Sequence, residues 1–213
     1  MLPERTLPKE IIEEFRTFDV PNISDAMDRI GLSGALHRIK AVVPYTRLCG
    51  QAFTVHFAPC GIKKGTVGDY LDEVLPGEVA VLDNNGREDC AVWGDIMSVY
   101  AARHGFAGTL IDGVCRDVDI IRGQNYPVFS KGFCMVSARN RVYADKTGGT
   151  VSISGVQVNP GDLICGDSNG VVAVPFEHVS EVMEAVQKIE AMEKEVIARV
   201  SEGMSFLEAS RQK

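Results

Sequence analysis

The stretch from Val79 to Ser130 constrains the fold most, because short apolar runs alternate there with helix-like segments. Pro76-Gly77 is a turn signal that feeds the run Val79 to Leu82, and residues 94–104 have helical periodicity. Gly108 to Ile111 is apolar again, Arg116 to Arg122 can begin a helix, and Pro127 to Ser130 reads as a further strand. Strand, helix, strand, helix, strand is the rhythm of β–α–β units. Such strands run parallel, because a parallel pair needs a long crossover between its members.

The flanks have a different texture. Residues 8–18 read as a helix with Pro8 in its first turn, Val20-Pro21-Asn22 breaks it, and Ile23 to Ile30 forms a second short helix ended by Gly31. Gln51 to Phe57 alternates, with Phe53, Val55 and Phe57 on one face and Thr54 and His56 on the other, as in a half-buried strand. From 133 to 174 come short β runs at Cys134–Val136, Val151–Ile153, Leu163–Cys165 and Val171–Val174. Turns at Gly148-Gly149, Pro160-Gly161-Asp162 and Asp167-Ser168-Asn169-Gly170 separate them. A long amphipathic helix from about Glu177 to Val200 follows. With no linker, repeat or low-complexity stretch, 1–213 reads as one α/β domain, long enough to bury about 70% of its unfolded surface.

Charge and cysteine usage narrow the function. The chain carries 29 acidic and 22 basic residues, a net charge of −7, with no basic stripe, which argues against nucleic acid as the main partner. Residues 83–119 and 177–200 together carry that whole excess. No apolar run approaches the ~18 residues of a membrane span, and the first fifteen residues lack a signal-peptide core. A cytoplasmic protein without a membrane anchor is the expectation. The six cysteines are scattered without a CxxC spacing, and the four histidines never fall within helical reach of one another. Reduced, mostly buried thiols are therefore expected rather than a zinc site or a disulfide framework.

The chemistry concentrates in Trp93-Gly94-Asp95-Ile96-Met97 and in Leu110-Ile111-Asp112-Gly113-Val114-Cys115-Arg116-Asp117. Each puts polar residues where a parallel strand ends and a helix begins, the edge at which open α/β sheets bind ligands. Helix N-termini there present unpaired N–H groups and partial positive charge, suited to a carboxylate or phosphate. Arg116 supplies a planar bidentate donor, and Asp117 a hard oxygen ligand for a divalent cation. The same residues would also serve as plain helix caps, with Arg116 neutralising a neighbour.

Asp95, then twenty residues, then Arg116-Asp117 resembles the motif of the class II pyruvate aldolases related to 4-hydroxy-4-methyl-2-oxoglutarate aldolase, a family that also contains the regulator of ribonuclease E activity A. Ser24-Asp25-Ala26, Gly50 to Val55, Ile111 to Asp117, Pro127-Val128-Phe129, Pro160-Gly161-Asp162 and Asp167 to Val172 match as well, so the resemblance covers about residues 20–200. It implies a compact β/β/α swivelling-domain fold with flanking N- and C-terminal helices, assembled as trimers or hexamers with sites between subunits. It further implies that Asp117 binds Mg²⁺ or Mn²⁺ among several waters and that Arg116 contacts the pyruvyl part of a 2-keto acid. The helix start at Gly94, with the N–H groups of Ile96 and Met97, would hold the substrate carboxylate. Asp95 would hydrogen-bond metal-bound water. The implied reaction is retro-aldol cleavage to pyruvate without a Schiff base, with oxaloacetate decarboxylation as a side activity; the rival is a non-catalytic regulator of a ribonuclease.

Family enzymes also use a glutamate from the neighbouring subunit's C-terminal helix. On a helical wheel Val182, Val186, Ile189, Val196 and Val200 form one stripe, with Glu193 near its centre and Glu190 near its edge. A carboxylate amid apolar residues needs a cation, a proton or water. Glu193 is thus the expected contributed group and Glu190 the second choice, with helix 177–200 packing on a neighbouring subunit. A stripe ending near Ile189 would instead leave Glu193 exposed. Gly61-Ile62-Lys63-Lys64-Gly65-Thr66 lacks phosphate-loop spacing and reads as a basic loop near the site mouth that could meet a distal carboxylate. Asp83-Asn84-Asn85-Gly86 reads first as a turn, and Trp93 as packing.

Overall fold

The computed structural model describes residues 5–62 and 65–211. Two short helices, α1 (Lys9–Phe15) and α2 (Val20–Arg29), open the chain. Pro21 does not end a helix but sits in the first turn of α2, where its missing N–H costs nothing. Strands β1 (Lys40–Ala41), β2 (Leu48–Pro59) and β3 (Glu78–Trp93) follow, then α3 (Asp95–Arg103), β4 (Gly108–Cys115), α4 (Val118–Gly123) and β5 (Val128–Phe133). The C-terminal half contributes β6 (Val142–Thr147), β7 (Val151–Ile153), β8 (Val156–Val158), β9 (Leu163–Gly166), β10 (Val171–Val174), the long α5 (Val179–Ser201) and α6 (Phe206–Arg211).

The expected α/β class forms. β2, β3, β4 and β5 pair in parallel, and the main sheet runs β1-β5-β4-β3-β2-β9-β10 with β6 antiparallel to the far end of β2. The segment 34–41 nearly closes this sheet into a barrel. Its first part bonds β10 through Leu36 N–H to Val171 O and Ala173 N–H to Gly34 O, and its last part pairs with β5 as β1.

Strand alternation sorts the side chains into two cores. Val79, Val81, Leu110, Phe129, Ile164, Val171 and Ala173 point into the barrel, where the β7–β8 hairpin adds Val151, Ile153 and Val158. The intervening Ala80, Leu82, Ile111 and Val128 face an outer layer under α3 and α4. Cys49, Leu163, Cys165, Val172 and Val174 face α1, α2 and α5. Because both faces are covered, β2 is more buried than its half-buried pattern implies. At the carboxyl end of the barrel interior the row turns polar. His56, Asp83 and Asp112 lie in direct register across β2, β3 and β4, and Lys131 of β5 pairs with Asp112. His56 Nδ1 meets Asp83 Oδ2 at 3.1 Å.

Three expectations change. β3 continues through Asp83-Asn84-Asn85-Gly86 to Trp93 by a bulge, with Asn85 and Gly86 at positive φ, so that segment is strand and not turn. Cys134–Val136 forms no strand, although Cys134 N–H bonds Cys115 O. Helix α5 buries Val179, Val182, Val186 and Ile189 against its own chain, chiefly α2, and burial of the stripe ends there. Beyond it Glu193 is half-buried and accepts a hydrogen bond from Asn22 Nδ2 at 2.9 Å, while Met192, Ile197 and Val200 are exposed.

This division predicts two responses along one helix. Ile189→Ala is expected to cost about 2–4 kcal/mol, because it empties part of a packed core. Ile197→Ala should leave the chain's own stability within about 0.5 kcal/mol, as urea denaturation at high dilution would show.

Candidate active site

The carboxyl ends of β3 and β4 lie side by side, with Trp93 opposite Cys115, so the chain leaves both strands at one place and starts α3 and α4 there. Arg116 N–H bonds Trp93 O at 3.0 Å, which ties the two exits together. Trp93 itself is buried; its Nε1 donates to Ser98 Oγ at 2.8 Å, Ser98 Oγ donates to Gly94 O at 2.9 Å, and its ring stacks on Tyr126. The tryptophan is packing that fixes the first turn of α3.

On this platform Asp117 takes a left-handed conformation, φ 58° and ψ 35°, at the N-terminus of α4. Its side chain does not cap α4. Instead Oδ2 accepts from the backbone N–H of Asp95 at 3.4 Å and from Arg116 Nε at 3.0 Å, so the carboxylate of one helix start sits on the other. Partial burial opposes its ionisation, but the hydrogen bonds from Arg116 and Asp95 N–H together outweigh that and hold the carboxyl below the usual carboxylate range. A Cβ at Gly94 would come within 2.6 Å of Asp117 Oδ2, so only glycine permits this approach.

These groups line one open cleft of about 540 Å³, which gathers Gly94, Asp95, Ile96, Met97, Arg116 and Asp117. Every expected site residue except Glu193 is therefore in one place. Ile96 N–H is engaged, since it donates to Asp95 Oδ1 at 2.8 Å. Glu193 lies on α5 beside Asn22 and is not on the cleft wall of its own chain.

The sequence reading missed Arg139 and Arg141, which line the same cleft. The connection after β5 is tied alongside β3 by Ala91 N–H to Val136 O and Ala138 N–H to Ala91 O. Asn140, at φ 62°, then turns the chain so that both flanking arginines reach the cleft. Arg141 Nη1 donates to Ser137 O at 3.0 Å, whereas the Arg139 guanidinium has no hydrogen bond or ion pair among the described residues. The signal was present in Arg139-Asn140-Arg141, two cations about a turn-former just past a strand of the ligand-binding edge. Lys63 and Lys64 of the expected basic loop lie outside the described residues, and Asn85 and Gly86 line the barrel-mouth pocket with Asp83, Asp112 and Lys131 instead.

Comparison with known proteins gives a consistent picture. Residues 20–173 match the family model described as RraA-like, Aldolase/RraA. Protein DlpA of Legionella pneumophila is 37% identical over the whole chain, which spans about a third (35%) of that protein's length. A Halalkalibacterium halodurans protein named "Putative 4-hydroxy-4-methyl-2-oxoglutarate aldolase" is 30% identical over 96% of this chain and 95% of its own. A crystal structure of an uncharacterized protein from Pseudomonas syringae pv. tomato superposes with a TM-score of 0.89 at 38% identity, covering 95% of this chain and 98% of that one.

The Asp117 environment has a measurable consequence. Its folded-state pKa lies below the unfolded value, so the ionised group adds stability above the ordinary pKa of 3.8, and this is lost as pH falls through the depressed value. Asp117→Asn keeps a residue that tolerates the left-handed backbone and removes the ionisation. The stability difference between the two proteins, measured by urea denaturation at stepped pH, should shrink below about pH 4. A difference that does not depend on pH would contradict the assignment.

Proposed function

The chain belongs to the RraA-like aldolase family, and from that premise we propose that it is a carbon–carbon lyase that cleaves 4-hydroxy-4-methyl-2-oxoglutarate-type 2-keto acids by a retro-aldol reaction, releasing pyruvate. The observation that carries this reading is the Arg116–Asp117 pair seated on the N-terminus of α3 through the gap left by Gly94.

Each group has a role that follows from its surroundings. Arg116 commits Nε to Asp117, which leaves its two Nη groups for the 2-oxo acid end of the substrate. The α3 N-terminus presents Met97 N–H and its partial positive charge to the substrate carboxylate. When the C3–C4 bond breaks, its electron pair becomes the pyruvate enolate, whose negative charge Arg116 stabilises. The 4-hydroxyl must lose its proton in the same step, and Asp95, with one oxygen held by Ile96 N–H, is placed to direct that transfer. Loss of CO₂ from oxaloacetate generates the same enolate, so decarboxylation is the natural side activity. The guanidinium of Arg139, on the wall of the same cleft, takes the second carboxylate.

The donor set fits a divalent cation of the kind that keeps most of its water. Both hydrogen bonds to Asp117 fall on Oδ2, leaving Oδ1 as a ligand. No group of three or more histidines, cysteines or carboxylates forms a closed cage among the described residues. Bound there, Mg²⁺ or Mn²⁺ would supply Lewis-acid stabilisation of the developing enolate oxygen. Glu193 is outside its own chain's cleft, so it enters a cleft only by way of a neighbouring copy in a trimer or hexamer. The exposed apolar residues of distal α5 support that packing.

The test is a lactate dehydrogenase-coupled assay with Mg²⁺ and either oxaloacetate or a 4-hydroxy-2-oxo diacid. Pyruvate should appear, and chelation or Asp117→Asn should abolish it. Arg139→Ala should raise KM for the diacid by about tenfold with little change for a substrate lacking the second carboxylate. Borohydride with substrate should leave the protein mass unchanged. No pyruvate from any such acid, together with capture of a ribonuclease, would replace this reading with the regulator.

A further inference from the structure

Away from the cleft, β2 and β9 run antiparallel with Cys49 directly opposite Cys165. Both are buried, at 3% and 2% exposed, and their sulfurs lie 3.9 Å apart. Residues facing each other across an antiparallel ladder have Cα atoms about 4.5–5.5 Å apart, inside the range that a disulfide spans. Closing the sulfurs to a bond of about 2.05 Å therefore asks for side-chain rotation and not strand movement. Nothing in the lyase chemistry uses this pair.

The surroundings are unlike those of an ordinary buried thiol. Arg16 donates from Nη2 to Cys49 O at 3.2 Å, and Arg16, Arg47 and Cys49 line one cavity of about 420 Å³. Cys49 thus has a small pocket beside it, with two guanidinium groups and the Glu13 carboxylate, which pairs with Arg16 at 3.5 Å, on the pocket wall. In the reduced protein the Cys49 thiol donates to Ile12 O at 3.3 Å, and it must release that proton before it attacks. We propose that Cys49 and Cys165 form a peroxide-oxidisable dithiol site, in which Cys49 is the attacking sulfur and Cys165 the resolving one.

The two roles differ because the environments differ. The contact with Cys165 draws Cys49 below the ordinary thiol range, against burial and the charge of Glu13 and with help from Arg16. Cys165 is pushed well up by that same contact and by burial, and unlike Cys49 it does not line the cavity. Buried Cys90 and Cys115 are raised by burial and remain unreactive thiols.

The chemistry balances with a hydroperoxide as the oxidant. The Cys49 thiolate attacks the terminal oxygen of the hydroperoxide, the O–O bond breaks, and the departing alkoxide takes a proton to leave as an alcohol, or as water from hydrogen peroxide. Cys49 is then a sulfenic acid. The Cys165 sulfur attacks the Cys49 sulfur, the S–O bond breaks, and the hydroxide leaves as water with the Cys165 proton. Two thiols are oxidised, one peroxide is reduced, and a dithiol reductant reverses the result by exchange.

The experiment treats the reduced full chain with one equivalent of hydrogen peroxide, blocks remaining thiols, and maps the cysteines by mass spectrometry without reduction. A Cys49–Cys165 linked peptide pair is expected, with the protein lighter by two hydrogens and restored by dithiothreitol. Cys165→Ser should stop at a sulfenic acid on Cys49 that dimedone traps, and Cys49→Ser should give neither product. Arg16→Gln should slow the loss of the Cys49 thiol severalfold at neutral pH. If either serine variant fails to fold, the wild-type map decides alone. A Cys49 that stays a thiol while the more exposed Cys60 or Cys134 oxidises, or a disulfide between any other pair, overturns the proposal.

Discussion

A parallel sheet covered on both faces is the constraint from which the rest of the molecule follows. Each strand must supply apolar side chains at successive positions, alternately to the barrel interior and to the helices, as Val79, Ala80, Val81 and Leu82 do. Polar groups then collect where the strands stop or where they find partners, with the buried Asn84 at the β3 bulge the exception. Inside the barrel that place is the row His56, Asp83, Asp112 and Lys131, whose polar groups meet one another instead of hydrocarbon. Outside it is the start of α3 and α4, where backbone N–H groups left over by each helix can meet carboxylates.

The cleft follows from a substitution of partners at that second place. A left-handed residue is costly for most side chains, and aspartate is among the few that bear it. At 117 the conformation turns the carboxylate away from its own helix and onto the neighbouring one, and Arg116 fixes it from the side. The missing side chain at Gly94 is the other half of the same contact. Three residues separated by up to twenty-three positions thus define one geometry, and none of them could produce it without the register of β3 against β4.

That these residues gather at one edge was legible in the sequence because it depends on local rules: strand end, helix start, and charge immediately after an apolar run. What was not legible depends on pairing at a distance. β6 carries Tyr143-Ala144-Asp145-Lys146, which has no apolar alternation to announce it; its strand character comes from hydrogen bonds to the far end of β2. β3 runs through Asn85-Gly86 because the bulge keeps its later residues alongside β4, whereas the dipeptide by itself reads as a turn. Val182, Val186 and Ile189 of the wheel's stripe are buried together, but helix length decides how far that burial continues toward Glu193. α2, at ten residues, spans about 15 Å, and α5, at twenty-three, about 35 Å, so α2 covers only the first part of α5, and the short α6 returns to its last turns, where Arg199 Nη1 donates to Ala209 O.

The charge of the cleft suits the pair of ligands proposed for it. Its walls bring three arginines, 116, 139 and 141, to two aspartates, 95 and 117, so it is slightly cationic in a protein whose net charge is −7. A dianion alone would overshoot neutrality, and a divalent cation alone would add repulsion to three guanidinium groups. Together a dicarboxylate and a divalent cation leave the formal balance where it began. Long-range attraction from the rest of this acidic chain favours the cation, and the guanidinium groups, close at hand and planar, favour the diacid. The acidic excess that first appeared to say only that nucleic acid is a poor partner is thereby consistent with a site that takes its two ligands as a pair.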